Sequence, residues 1–274
     1  MSRRHWTNRV SRVFGRFADT TFPRPIQYLV NTAYVRLMGL DLSDFSDTRS
    51  YPTLNALFIR KLVKPRVFDA DPNRLISPAD AFITAQGQLL GDTLLQIKGM
   101  TYAVSDLLTA NAMHMNAVIG GEYINFYLSP SDYHGYHAPT TFRVRKLMHV
   151  PGCLYPVNPP SLRKRQNLLA CNERVVLECE HTTGNIFYLV FIGATNVGKI
   201  VFEFESRLET NTASTSVQVY EYQDRLIEKG EYLGSFKMGS SIALVAQKDF
   251  LVLDRIVGEK VSVGDLIARV KTAS

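Results

Sequence analysis

The spacing of apolar residues changes character near residue 66. Before that point it is helical. Trp6, Val10, Val13, Phe14 and Phe17 fall within an arc of about 100° at helical pitch, with Arg9, Arg12 and Arg16 to one side, which predicts an amphipathic basic helix. Pro23 and Pro25 separate it from a second predicted helix over 26–40, and a third, short one is expected over 53–62, capped near Ser50 or Thr53. Arg36 interrupts the apolar run of the second helix, and no stretch of about 18 uninterrupted apolar residues occurs, so neither a transmembrane helix nor a secretory signal is expected.

From about residue 75 the pattern becomes short β-branched and aromatic runs punctuated by Gly, Pro, Asn and Asp. Strands are predicted over 82–89, 122–128, 142–150, 174–179, 186–192, 200–204, 216–220, 242–246 and 251–253, with a helix opening within 102–108. There is no internal repeat and no low-complexity linker. The expected fold class is α+β: one β-rich domain, barrel- or sandwich-like, over 67–274, carrying an N-terminal amphipathic helical extension over 1–66.

Composition adds two constraints. With 274 residues, 46% of them hydrophobic, the chain can fill a substantial core. Its three cysteines, Cys153, Cys171 and Cys179, form neither a disulfide framework nor a zinc-type pairing and read as thiols in a reducing compartment. The net charge of +6 changes the picture more, because residues 1–36 hold seven arginines against Asp19 alone and the remainder is balanced. A nucleic-acid enzyme would spread its basic residues along a groove, so nucleic acid is not an expected partner. A basic amphipathic helix can lie among the headgroups of an anionic membrane, pack on its own domain, or serve as a transit peptide, and the pattern alone leaves all three open.

Three places can carry chemistry. In YLSPSDYHGYHAP, residues 127–139, His134 and His137 are expected in a loop or tight turn, either as general acid and base or as structural histidines. No third ligand stands in a recognised spacing to them, since His114, His149 and His181 are scattered, so no metal is expected. Asp80, in SPADAF, is either a turn residue or the orienter of a histidine. Gly239-Ser240-Ser241 lacks the G-x-S-x-G context of a hydrolase elbow and reads as a turn, or as a hydroxyl beside an unhindered glycine carbonyl. FKMGSS also has a faint likeness to lipoyl and biotinyl carriers around Lys237, although such a lysine normally sits on a short domain of its own.

Taken in order, these places resemble the phosphatidylserine decarboxylase family of pyruvoyl-dependent, self-processing proenzymes. The likeness runs through FIRKLVKPRVFD (58–69), ISPADAFI (76–83), IKGMTYAVSDLL (97–108), LSPSDYHGYHAP (128–139), HVPGCLYPVNP (149–159), NERVVL (172–177), FIGATNVGKI (191–200) and KGEYLGSFKMGSS (229–241), collinear from about residue 58 to the C-terminus. The resemblance implies self-cleavage between Gly239 and Ser240, leaving a β chain 1–239 and an α chain 240–274 whose first residue becomes a pyruvoyl group, the covalent cofactor. Asp80 and His137 match the family's acid and base for self-cleavage, and His134 its decarboxylation histidine. The implied reaction joins the pyruvoyl group to phosphatidylserine as a Schiff base, releases CO2 and yields phosphatidylethanolamine. The family's LGST reads MGSS here, and its Ala-Asp-Gly reads Ala79-Asp80-Ala81, where a residue held at φ > 0 would be strained by about 1 kcal/mol. The implied setting is peripheral, on an anionic phospholipid membrane at the cytoplasmic face of a bacterial cell. The oligomeric state stays open, a homodimer included. Two other readings also remain: an unprocessed lipid-binding β-domain, and a pyruvoyl decarboxylase of a related serine-headgroup lipid.

Overall fold

One large sheet, buried on both faces, forms the middle layer of the molecule. The computed structural model describes residues 15–97, 100–195, 199–212, 214–237 and 240–271. Most of the first predicted helix, with Trp6, Arg9 and Arg12, therefore lies outside the described residues, as does Gly239. The strands are, in chain order, β1 (Arg74–Ile76), β2 (Ala81–Gln88), β3 (Thr93–Ile97), β4 (Met100–Ala103), β5 (Glu122–Leu128), β6 (Gly135–His137), β7 (Phe142–Val150) and β8 (Arg174–His181). They continue with β9 (Ile186–Gly193), β10 (Ile200–Phe202), β11 (Gln218–Ile227), β12 (Tyr232–Phe236), β13 (Ser240–Ala246), β14 (Leu251–Leu253), β15 (Lys260–Val261) and β16 (Leu266–Val270).

The large sheet has eight strands in the order β11-β7-β8-β9-β13-β5-β2-β15, with every pair antiparallel. Its ends, β11 and β15, do not pair with each other, so the sheet is open and no closed barrel forms; the layered half of the barrel-or-sandwich expectation is the one realised. Side chains alternate between the faces. Phe187, Leu189 and Phe191 of β9 point to one side, packing with Tyr136, Phe202, Phe236 and Ile267 from two three-stranded sheets, β10-β12-β6 and β1-β16-β14. Tyr188, Val190 and Ile192 point to the other, against Tyr102, Leu107, Leu162 and Leu168 of the β3–β4 pair and three short helices, α3 (Val104–Leu108), α4 (Pro159–Leu162) and α5 (Leu168–Cys171). Two covered faces explain why β9 reads as an unbroken apolar run rather than an alternating one.

The N-terminal piece is helical, as expected, but turned outward. Helix α1 (Arg24–Met38) begins after Pro23, with Pro25 in its first turn, and ends on Gly39 at φ 65°, a left-handed cap that suits glycine. Its buried residues are polar. Gln27 Nε2 donates to Asn31 Oδ1 at 2.8 Å, and Asn31 Nδ2 donates to the carbonyls of Thr48 and Tyr51, each at 3.0 Å. Ile26, Leu29 (68% exposed) and Leu37 (83%) face outward. The third predicted helix is shorter than 53–62: α2 (Leu54–Phe58) is capped by Thr53 Oγ1, which accepts from Ala56 N at 3.0 Å. Leu54, Leu57 and Phe58 pack beside Ala18, Val30 and Tyr34. Among the described residues no helix is long and apolar enough to cross a membrane.

Three strands differ from expectation in ways that matter for the site. The strand predicted over 216–220 runs on to Ile227, because β11 is an edge strand that tolerates the polar stretch EYQDR. The strand predicted from 242 begins at Ser240 itself. His137, expected in a loop or turn, lies on the short strand β6, which pairs with β12. On its other edge β12 pairs with β10, and there it needs Gly234, since a Cβ would collide with the Val201 carbonyl. Gly234→Ala is expected to cost about 2 kcal/mol or more through this overpacking, read as a lowered melting temperature; an unchanged one would show that the small sheet yields at no cost.

Candidate active site

Ser240 owes its position to the ladder on either side of it. As the first residue of β13 it pairs with Leu128 on β5 and Gly193 on β9, and it is fully buried. Its Oγ has no hydrogen-bond partner among the described residues. Leaving a buried hydroxyl unsatisfied costs roughly 1–3 kcal/mol, a cost that Thr32 and Thr140 bear as well. The residue borders a pocket of about 110 Å³ whose lining includes Tyr127, Pro130, Val157, Asn158 and Thr195. One wall is pinned by Asn172, a buried residue whose role the sequence did not reveal. Its Nδ2 donates to Tyr155 O at 2.8 Å and Gly193 O at 2.7 Å, while its Oδ1 accepts from Tyr155 N at 3.1 Å. Asn172 thus ties the Tyr155 segment to the strand beside Ser240. The only signal for it was its place in NERVVL, because an amide has no distinctive reactivity.

His137 and Asp80 come from neighbouring segments, joined where His137 N donates to Pro78 O at 2.8 Å. The His137 ring is held at both nitrogens. Nδ1 lies 2.9 Å from Gly230 O, and a carbonyl only accepts, so Nδ1 carries the proton; Nε2 accepts from Tyr133 Oη at 3.1 Å. Tyr232 meets the ring edge-on at 5.4 Å between centroids. Asp80 is engaged elsewhere. Arg66 binds it through two hydrogen bonds, at 2.5 and 3.1 Å, and Val263 N donates to Oδ1 at 2.8 Å. The imidazole is therefore oriented by the Gly230 carbonyl, and Asp80 acts on it through space. Burial lowers the His137 pKa, the Gly230 hydrogen bond and the Asp80 charge pull in the opposite direction, and the Arg66 charge adds to the lowering. Ala81 is not among the residues at positive φ, so the strain considered for it does not arise.

His134 sits just before β6, also fully buried. Its Nδ1 lies 2.9 Å from Asp132 O and must be the donor, which leaves the lone pair on Nε2, and Nε2 has no partner among the described residues. The Phe58 ring packs on the imidazole at 4.1 Å. Burial pushes the pKa down to about 3, with Arg60 lowering it further against the Asp132 hydrogen bond. Two orphaned buried polar atoms, His134 Nε2 and Ser240 Oγ, thus accompany the three motifs of the sequence. The structure bonds neither histidine to Ser240. No cluster of three or more potential metal ligands occurs among the described residues, and Lys237 follows β12 within the main domain rather than standing on a carrier domain.

The chain is similar to known proteins over most of its length. The model of the family described as phosphatidylserine decarboxylase matches residues 54–269. The chain is 44% identical over 243 residues to the phosphatidylserine decarboxylase proenzyme of Helicobacter pylori strain J99, covering 88% of this chain and 90% of that one. It is 38% identical over 262 residues to the protein of the same name from Campylobacter jejuni, covering 94% and 97%. Against that of Marinobacter nauticus the identity is 33% over 244 residues, covering 87% and 85%.

The buried histidines make stability depend on pH. With its folded pKa at about 3, below the ordinary 6.5, His134 binds a proton more readily in the unfolded chain. Its contribution is complete above pH 6.5 and is lost as pH falls from there toward 3, and His137 adds in the same direction. The melting temperature should fall on acidification from about pH 7 to about pH 5, with a shallower slope in His134→Gln. Equal slopes in the two proteins would show that His134 does not bear the coupling.

Proposed function

The chain belongs to the phosphatidylserine decarboxylase family, and from that premise we propose that it is a self-processing phosphatidylserine decarboxylase cut between Gly239 and Ser240. The observation that carries the site assignment is the buried, unpartnered Ser240 hydroxyl at the start of β13. A pyruvoyl group made from this residue fits the surroundings: the hydroxyl gives up no hydrogen bond to the described residues when it reacts, and a pocket adjoins it.

Self-cleavage begins with Ser240 Oγ attacking the Gly239 carbonyl. The Gly239–Ser240 peptide bond breaks as an ester forms, the serine Cα proton and the Gly239 carboxylate then leave together, and water releases ammonia from the remaining residue. His137 is the base of this sequence. Its Nδ1–H is anchored on Gly230, so Nε2 becomes available once the Tyr133 hydroxyl turns away. Asp80, ion-paired with Arg66, favours positive charge on the ring from a distance, and the Arg66 charge opposes it. The pyruvoyl group supplies an electrophilic carbonyl that serves as the electron sink when CO2 leaves. His134, neutral and with Nε2 free, takes a proton from the incoming headgroup ammonium and returns it to the substrate carbon.

The outward apolar face of α1 supports peripheral docking on an anionic membrane, with the arginines of residues 1–36 among the headgroups. The division into a membrane-associating extension, 1–66, and a catalytic domain, 67–274, is part of the same proposal, as is a cytoplasmic membrane face.

Intact mass of the purified protein should give chains 1–239 and 240–274, the smaller with a blocked, hydrazine-reactive end, together with CO2 release from phosphatidylserine vesicles. Ser240→Ala should stay a single chain, bind anionic vesicles and release no CO2. A wild-type chain that remains whole and inactive would sink the reading and leave a lipid-binding domain.

A further inference from the structure

The segment between α2 and β1 reaches Asp80 through Arg66 and the loop before His134 through Arg60, and the second contact is not explained by membrane docking. Arg60 is only 2% exposed. A buried guanidinium is costly unless its donors and its face are used, and here the use is partial, since Nε and Nη1 have no partner among the described residues. Arg60 Nη2 donates to the carbonyls of Ser131 at 3.0 Å and Asp132 at 3.2 Å, and the guanidinium lies over the Phe45 ring at 4.6 Å. The Asp132 carbonyl is the same one that accepts Nδ1–H of His134. Two residues earlier, Phe58 packs against the His134 ring, and Tyr34 Oη of α1 reaches the same loop at Pro130 O, 3.3 Å away. The extension therefore holds the loop carbonyl that decides which nitrogen of His134 is protonated.

We propose that Arg60 is the positioning residue for His134: by fixing the Asp132 carbonyl it locks the ring as the Nδ1–H tautomer, directs the Nε2 lone pair at the substrate, and makes the decarboxylation histidine depend on the seating of the N-terminal extension. The role of His134 in decarboxylation comes from the proposed function, whereas the tautomer lock stands on the geometry alone. An ammonium in place of the guanidinium keeps the charge but neither its planar fork nor its stacking face, so Arg60→Lys should restore part of the effect. The charged and titratable groups around the ring are Arg60 from the extension and Asp132, Tyr133 and His137 from its own loop and strand. Arg66 and Asp80 bind each other beyond them.

The test uses the full chain with Arg60→Met and Arg60→Lys. Both variants should cleave as the wild type does, because Ser240, His137 and Asp80 are untouched. With phosphatidylserine vesicles Arg60→Met should lower kcat by about 10- to 100-fold while KM stays within about twofold, and Arg60→Lys should fall between. Imidazole 15N spectra, with the His134 signal identified by its loss in His134→Ala, should show a protonated Nδ1 in the wild type and a tautomer mixture in Arg60→Met. An unchanged tautomer, or kcat within twofold of wild type, would overturn the proposal. If Arg60→Met does not fold, the same two readouts in Arg60→Lys decide. A wild type that releases no CO2 would refute the proposed function, and the spectra would still test the tautomer lock.

Discussion

The site depends on the hydrogen bonding of β13 along both of its edges. A strand flanked by β9 and β5 in the interior of an eight-stranded sheet has no freedom of register, because a one-residue slip would turn every inward side chain to the wrong face. Ser240 is the first residue under that constraint, and Gly193 and Leu128 oppose it directly. A hydroxyl at the point where a chain enters such a ladder is placed by the backbone pairing rather than by a hydrogen bond of its own. The same ladder holds the two sides of a cut at this point together. The segment from Ser240 onward supplies β13 to the large sheet, β15 to its edge and β16 between β1 and β14, so it stays woven into the fold without the covalent link.

Around this anchor, charge is handled by burial and by pairing across elements distant in sequence. Both histidines are kept neutral chiefly by desolvation and oriented by backbone carbonyls, which accept a proton donor without adding a charge of their own. The cations meet partners of several kinds instead. Arg66 meets Asp80, Lys61 lies over Tyr232, which in turn abuts His137, and Arg60 grips the loop before His134. Each of these cations comes from the segment just after α2. The helical piece and the β-rich piece are thus joined at the polar residues of the site, while the apolar face of α1 is left outside.

Much of this was legible in the chain itself. The strands over 122–128 and 142–150 match the observed bounds, because long apolar runs rich in β-branched and aromatic residues leave little choice of period, and the short Leu-Val-Leu over 251–253 matches as well. Where periodicity was weak the reading fell short. The short strands β6 and β12 contain Gly135 and Gly234, which suppress a strand signal although the close approach of neighbouring groups requires them. The outward turn of α1 could not be read either, since a polar face buried through Gln27 and Asn31 has the same spacing as a solvated one.

The motifs and their order determined which residue types would be available: two histidines, an aspartate and a Gly-Ser pair, with the basic charge confined to the first 36 residues. Only the tertiary structure decided how they are wired. An Asp and a His in neighbouring motifs suggest a bonded pair, yet Arg66 and Val263 N occupy Asp80, and the carbonyls of Gly230 and Asp132 orient the two imidazoles. A main-chain carbonyl is present at every residue and leaves no mark in a sequence. Which one faces a given ring is set by strand register and loop packing, and those exist only in the folded chain.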